Sequence, residues 1–311
     1  MKHYAAGIDI GGTRTKIGIV EAETGTVSQV SVIDSGKDET EFLALMDRTL
    51  EKQIKEAGLE KKDLAGAGIS IGSYVFSDGN IDGMSCFLPY MTEGYPLKAK
   101  LETALGLPVR ADNDVRLIGL AESLYGAGKN YDRVLTITLG SGVGVSMCTG
   151  GRPMDSEAFC HLAGHVKVRA GGSIPALDES PCYCGVEGCL ESTCSGLSFE
   201  RYIRSVLGEE ITNREFFERA QKGDTKACGI LEWYLDCLGE GLNQYIYFYC
   251  PDVIILGGGL SHGLKPWRAD IQKRIKAKVH FRQKTEIVFS ELMEAGGVIG
   301  AAALFDIRAD L

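Results

Sequence analysis

The chain has 311 residues, 44% hydrophobic and 24% charged, a globular composition long enough for two hydrophobic cores, which excludes a disordered chain. Its formal charge of -9 argues against a nucleic-acid partner, because such binding needs a concentrated cationic surface. Met1 to Tyr4 lead straight into a strand-like stretch without an apolar leader, no run is long enough to span a bilayer, and ten dispersed cysteines suit a reducing compartment, so a cytoplasmic protein without membrane contact is expected.

Residues 4–9 read as a strand, followed by a glycine turn, a second strand at 15–20 and a third at 26–32, three antiparallel strands joined by short turns. Phe42, Leu45, Met46, Leu50 and Ile54 have the spacing of an amphipathic helix over 42–57. Strand pattern returns at 67–71, and 96–105 is helix-like, with Pro96 near its start and Gly106 as its stop. A short strand at 108–111 leads through Asp112, Asn113 and Asp114 into a helix-like run at 115–125. The same ingredients then recur as a strand at 134–139, a glycine turn at 140–144 and a strand at 145–148, which predicts two related domains facing one another. Residues 198–221 and 225–247 read as helices, the second with Ile230, Leu231, Tyr234, Leu235, Leu238 and Leu242 at core-facing intervals. An apolar strand at 253–256 empties into Gly257, Gly258 and Gly259, and the basic run 273–284 reads as a solvated helix face followed by a strand. The alanine-rich stretch 297–305 predicts a closely packed helix.

Residues 9–18, DIGGTRTKIG, put a carboxylate at a strand end ahead of paired glycines and two threonines. Amides of such a turn can point at phosphate oxygens, Thr13 and Thr15 offer hydroxyls, and Asp9 can hold a magnesium ion through water; a plain hairpin turn is the competing reading. The first phosphate-binding set is therefore Asp9, Gly11, Gly12, Thr13, Thr15 and Lys16. It is neither a Walker loop nor a dinucleotide fingerprint, whose lysine and three-glycine spacing are absent. Gly140, Ser141 and Gly142 lie at another strand end and could face the same phosphates, while Gly258 and Gly259 supply a third approach for the adenosine and its first phosphate. Asp114, between a strand and a helix, is the carboxylate that can orient an alcohol and accept its proton in phosphoryl transfer, with Asn113 on a neighbouring substrate hydroxyl. Both also suit a helix N-cap, the role expected for Asp112.

Cys182, Cys184 and Cys189 in CYCGVEGC, with His165 upstream, offer three thiolates and an imidazole to a closed tetrahedral zinc site, Gly185 and Gly188 letting the backbone fold round the metal. A reduced cysteine cluster is the alternative, and Cys194, close enough to be a spare ligand, is expected to be a buried thiol. With all positions filled, the metal would organise the loop rather than polarise a phosphate. Glu191, two residues on, would present its carboxylate to sugar hydroxyls together with the second ring nitrogen of His165, or else serve as a helix N-terminal charge. His161 suits either a substrate contact or a surface histidine.

Taken together, these segments resemble the ROK family of bacterial sugar kinases and sugar-responsive repressors nearly end to end. The resemblance rests on DIGGTRTKIG, the loop at 68–72, ADNDVRLIGLAE at 111–122, LGSGVG at 139–144, Gly164 with His165, CYCGVEGCLE at 182–191 and PDVIILGGG at 251–259. It implies an α/β, actin-like ATPase (ribonuclease H-like) fold of two domains around a central cleft, ATP with Mg2+ as donor, structural Zn2+ and a homodimer. The smaller N-terminal domain is expected at 1–114, completed by 297–311, and the larger at 115–296 with the zinc-binding loop. The resemblance also implies Asp114 as base, Asn113, Glu191, His165 and Gly72 on the sugar, and His165, Cys182, Cys184 and Cys189 on zinc. With eight residues ahead of Asp9, the helix-turn-helix domain of the repressors is not expected.

Two positions depart from that pattern. The family places a glutamate three residues before the zinc histidine, where this chain has Leu162, and an asparagine before a Leu-Pro pair, where it has Phe87. Glucose would then leave hydroxyls unpaired at about 1–3 kcal/mol each, and Glu157 is the available replacement carboxylate. The expectation is an ATP-dependent kinase for a hexose or related sugar; a non-catalytic sugar sensor of the same fold and a kinase for a non-hexose polyol are the alternatives.

Overall fold

The computed structural model describes residues 3–84, 88–155, 159–169, 174, 177 and 182–305. Phe87 and Glu157 lie outside the described residues. Contacts divide the chain into two units, one of residues 1–129, 151–153 and 292–311, the other of residues 130–150 and 154–291.

In the first unit, β1 (Tyr4–Ile10), β2 (Arg14–Glu21) and β3 (Val27–Asp34) form the expected antiparallel meander. β4 (Leu64–Ile71) and β5 (Val109–Asn113) add to it in parallel, giving the order β3-β2-β1-β4-β5. The strand period of two sends Ala6, Ile8 and Ile10 into one core with Phe42, Met46, Leu50 and Ile54 of α1 (Glu39–Glu56). The Asp38 side chain caps α1 by accepting from the Glu41 amide at 2.9 Å. The opposite face is built for close approach: a Cβ at Gly7 or Gly68 would fall on the carbonyl of Val298 or Ala301 in helix Gly296–Ala303. Asp9 shares the alternation of Gly7, so its carboxylate ends beside Gly297 at the start of that helix. α2 (Leu97–Leu105) stops at Gly106, whose φ of 62° is left-handed, and α3 (Asp114–Leu124) follows directly on β5.

The second unit repeats the scheme. β6 (Arg133–Leu139) and β7 (Val143–Thr149) are antiparallel, β8 (Val253–Gly257) lies parallel to β6, and β9 (Glu286–Phe289) lies parallel to β8. The order β7-β6-β8-β9 matches β2-β1-β4-β5 of the first unit, so the weak sequence repeat has a structural counterpart. Leu135, Ile137 and Leu139 pack into a core with α5 (Gly196–Leu207), α6 (Asn213–Gln221) and α7 (Thr225–Tyr249), after a short α4 (Leu190–Cys194).

Three expectations need correction. The helix read at 198–221 is two helices, because Gly208 takes φ 70° to end α5 and Thr212 with Glu215 forms a capping box that starts α6. The glycine turn after β6 covers only residues 140–142, since Leu139 already pairs with Val143 and Gly144 lies within β7. The basic run leaves α8 (Arg268–Lys276) at its last turn and reaches β9 only at Glu286; Arg274 pairs with Glu232 and Asp236, and Lys278 with Glu240, which makes it a solvated face.

Candidate active site

In the first unit, the carboxyl ends of the parallel strands β1, β4 and β5 carry Asp9, Ser70 and Asn113, with Asp114 opening α3. Ligands of open α/β sheets bind at this end of the strands. Ser70 Oγ donates to Asp9 Oδ1 at 2.6 Å. Burial raises the Asp9 carboxyl above its ordinary value, and the Ser70 hydrogen bond and the Lys16 charge offset this only in part. Burial first, and then the negative charge of Asp9, push Asp114 up from 3.8 to about 6, although the Val115 amide donates to its Oδ1 at 2.8 Å. A carboxylate poised near neutrality is suited to proton acceptance.

Asn113, rather than Asp112, is the N-cap of α3: its Oδ1 accepts from the Val115 amide at 3.1 Å and from that of Arg116 at 3.4 Å. Its Nδ2 donates to the Ser73 carbonyl at 3.4 Å, tying it to the segment that follows Gly72. Asp112 instead takes the Arg116 guanidinium, with Nε 2.9 Å from Oδ1. In the turn after β1, Gly12 and Thr13 are exposed and the Gly11 amide donates to Arg14 O at 3.1 Å. Thr15 does not offer its hydroxyl to that surface. It is fully buried with Oγ1 2.9 Å from Ser35 Oγ, and Ser35 in turn donates to the Gly11 carbonyl at 2.7 Å, so the pair braces the turn from inside. Lys16 Nζ donates to the Glu294 carbonyl at 3.0 Å.

In the second unit two glycine turns meet. Gly258, at φ 80°, packs so closely on β6 that a Cβ would lie 2.5 Å from Leu139 O, and the Leu260 amide donates to that same oxygen at 3.1 Å. The Gly140 amide closes its turn on Gly142 O at 3.0 Å, leaving Ser141, Gly258 and Gly259 exposed. Beside this turn lies Glu191, in the first turn of α4; its Oε2 accepts from the Val143 amide at 3.0 Å, and Cys182 Sγ lies 3.5 Å from its Oε1.

The donor atoms of His165, Cys182, Cys184 and Cys189 all lie within 4.8 Å of one another. Nδ1 of His165 is 3.5 Å from Cys182 Sγ and 3.9 Å from Cys189 Sγ. Tetrahedral zinc with bonds of about 2.0 Å to nitrogen and about 2.3 Å to sulfur requires an N···S spacing of about 3.5 Å, so the residues fit the ion. Burial, the largest influence, pushes the Cys182 and Cys189 thiols up, and a dication would hold them as thiolates. Gly185 at φ 73° and Gly188 at φ 69° make the tight knuckle, and Cys194 is a fully buried thiol outside the cluster. The second ring nitrogen of His165, expected on sugar, lies 2.7 Å from the Tyr183 hydroxyl. Leu162, one 3-10 turn before His165, is 41% exposed and presents an apolar side chain there. Ser70, Ser35 and Tyr183 escaped the sequence reading; only Tyr183, flanked by two candidate ligands, carried a positional signal.

The model of the ROK family matches residues 5–308. The glucokinase of Thermotoga maritima is 26% identical over 327 residues, covering 97% of each chain. The N-acetylgalactosamine kinase AgaK of Shewanella sp. is 28% identical over 96% of this chain and 95% of its own. A ROK family glucokinase from Streptomyces griseus, solved in complex with glucose and AMPPNP, superposes with a TM-score of 0.73 at 25% identity, covering 97% of this chain and 98% of its own. The two sheets are those of the actin-like ATPase fold. The chain belongs to the ROK family.

Proposed function

We propose that the chain is an ATP-dependent carbohydrate kinase that moves the terminal phosphoryl group of ATP to a hydroxyl of a hexose or an N-acylated hexosamine. The observation that carries this reading is the carboxylate pair of Asp9, near the end of β1, and Asp114, at the start of α3: the charge of Asp9 helps to lift Asp114 to about 6, which suits a base for an alcohol. The glucokinase and N-acetylgalactosamine kinase relatives, and the glucose and AMPPNP complex, support the donor and the acceptor class.

Asp114 orients the acceptor hydroxyl and takes its proton as the hydroxyl oxygen bonds to the terminal phosphorus; the bond to the bridging oxygen breaks and ADP leaves. Asn113 and Gly72 line the sugar near that base, and Glu191 offers it the oxygen not held by Val143. The amides of Gly12 and Thr13, together with those of Ser141, Gly142, Gly258 and Gly259, donate to phosphate oxygens, while the amides of Gly11 and Gly140 close their turns on Arg14 O and Gly142 O. Magnesium, when bound, would neutralise charge on the phosphates, with Asp9 as its protein partner. Zinc on His165, Cys182, Cys184 and Cys189 would stiffen the knuckle that carries Glu191. None of the nine described cysteines forms a disulfide, which suits a cytoplasmic setting, and family likeness implies a homodimer.

An ADP-release screen with ATP, magnesium and glucose, mannose, allose, fructose, N-acetylglucosamine or N-acetylgalactosamine tests the reading. Turnover with at least one of them is expected. No turnover with any sugar, joined to no ATP binding, would refute it.

A further inference from the structure

The candidate zinc knuckle and the glycine turn after β6 are joined at both ends of the turn. Gly196, just after α4, donates its amide to the Gly140 carbonyl at 2.7 Å, and Glu191 Oε2 accepts the Val143 amide at 3.0 Å. The backbone contact has no slack, since a Cβ on Gly196 would come 2.9 Å from Gly140 O, and the Glu191 carboxylate packs directly on the turn, 2.8 Å from where a Cβ on Gly142 would lie. Val143 is 4% exposed, and Gly140, Glu191 and Gly196 are half-buried around it. The segment that supplies both bonds begins on a candidate ligand. Cys189 is the N-cap of α4, its Sγ accepting from the Ser192 amide at 3.3 Å, and the Leu190 amide is fixed to the Val166 carbonyl at 2.8 Å. From Cys189 to Gly196 the chain is a short helix followed directly by Ser195, the buried N-cap of the next, which leaves little freedom to absorb a displaced cysteine.

We infer that metal occupancy of the knuckle sets the affinity of the Gly140–Gly142 turn for nucleotide phosphate, with Glu191 as the positioning residue that carries the coupling. This rests on the kinase reading, in which that turn holds phosphate. An ion held by these four residues would bind no residue of the turn. By fixing Cys189 it fixes α4, and through Glu191 and Gly196 it holds the Val143 amide and the Gly140 carbonyl. The carboxylate of Glu191 therefore has a role that does not depend on contact with the sugar.

The test uses the full chain, zinc-loaded or stripped by a chelator with metal content verified, and ADP with magnesium as the probe in calorimetry. Stripping should raise the ADP Kd about 10-fold, within the usual range of couplings between sites. Loaded E191A should show a similar loss, whereas loaded E191Q, which keeps an acceptor oxygen for Val143, should stay within about 2-fold of wild type, well below that coupling. Amide hydrogen exchange at residues 140–144 should quicken in the stripped chain and in E191A. Equal ADP affinity and equal exchange in loaded and stripped wild type would overturn the inference, even where E191A fails to fold. A loaded wild type that binds no ADP would instead sink the kinase reading, with the exchange comparison still deciding whether the metal holds the turn.

Discussion

Replacing Asp114 with asparagine should make the protein more stable while removing its transferase activity. The folded chain holds the Asp114 carboxyl at about 6 against an ordinary 3.8, chiefly through burial and secondly through Asp9. A group raised in this way binds more protons folded than unfolded between those two values, so stability falls as pH rises through that window. At about 1.4 kcal/mol per tenfold change, ionised Asp114 costs about 3 kcal/mol at pH 8 and about half that at pH 5. Asparagine carries no such charge, and its amide oxygen can still accept from the Val115 amide. Urea denaturation of wild type and D114N at pH 8 and pH 5 measures the difference; the variant should be the more stable, with an advantage about half as large at the lower pH. Phosphoryl transfer should fall about 100- to 10,000-fold, the usual range for a lost general base, with ADP binding kept. A variant that is no more stable at pH 8, or whose advantage does not shrink on acidification, would refute the electrostatic argument, and full turnover would remove Asp114 as base.

Three further outcomes follow from the same geometry. The acid limb of the kcat/KM profile should lie near pH 6 in wild type and move down in D9N, because Asp9 contributes to raising Asp114; an unmoved limb would separate the two carboxylates. G258A places a Cβ against Leu139 O at a φ of 80° and should cost roughly 1–3 kcal/mol and weaken ADP binding, whereas G36A, at φ 63° in open space, should lose only the cost of its backbone conformation, about 1 kcal/mol; urea midpoints and calorimetry check both. Y183F removes the hydroxyl 2.7 Å from the second nitrogen of His165 and should release zinc about 10-fold more readily in a chelator competition, with an unchanged rate counting against that bond as support for the ligand.

Local patterns were legible from the sequence, and long-range partners were not. The alternation in β1 and the four-residue return of Phe42, Met46, Leu50 and Ile54 place the first core directly, since one buried face imposes each period. Gly106 was a readable helix stop, and Gly208 followed by Thr212 and Glu215 carried the same kind of signal for the break between α5 and α6 that the apolar periodicity masked. Asp9 and Asp114 could be picked out as strand-end carboxylates, but their mutual influence arises because β4 sits between β1 and β5, a pairing with no local signature. Thr15 illustrates the limit of motif reasoning: its partner Ser35 is 20 residues away, brought in by the β2–β3 hairpin, and turns a presumed phosphate ligand into a brace. The knuckle spacing identified four metal donors, whereas the engagement of Glu191 with Val143, 48 residues earlier, emerged only with the fold.

The central claim is that the chain transfers phosphate to a sugar, and phosphorus NMR of a reaction containing ATP, magnesium, the preferred sugar of the screen and either wild type or D114N tests it most directly. Wild type should yield sugar phosphate and ADP in equal amounts, with both forming at least about 100-fold more slowly for D114N. ADP that appears with inorganic phosphate and no sugar phosphate, or no conversion of any sugar by a chain shown to bind ATP, would contradict it.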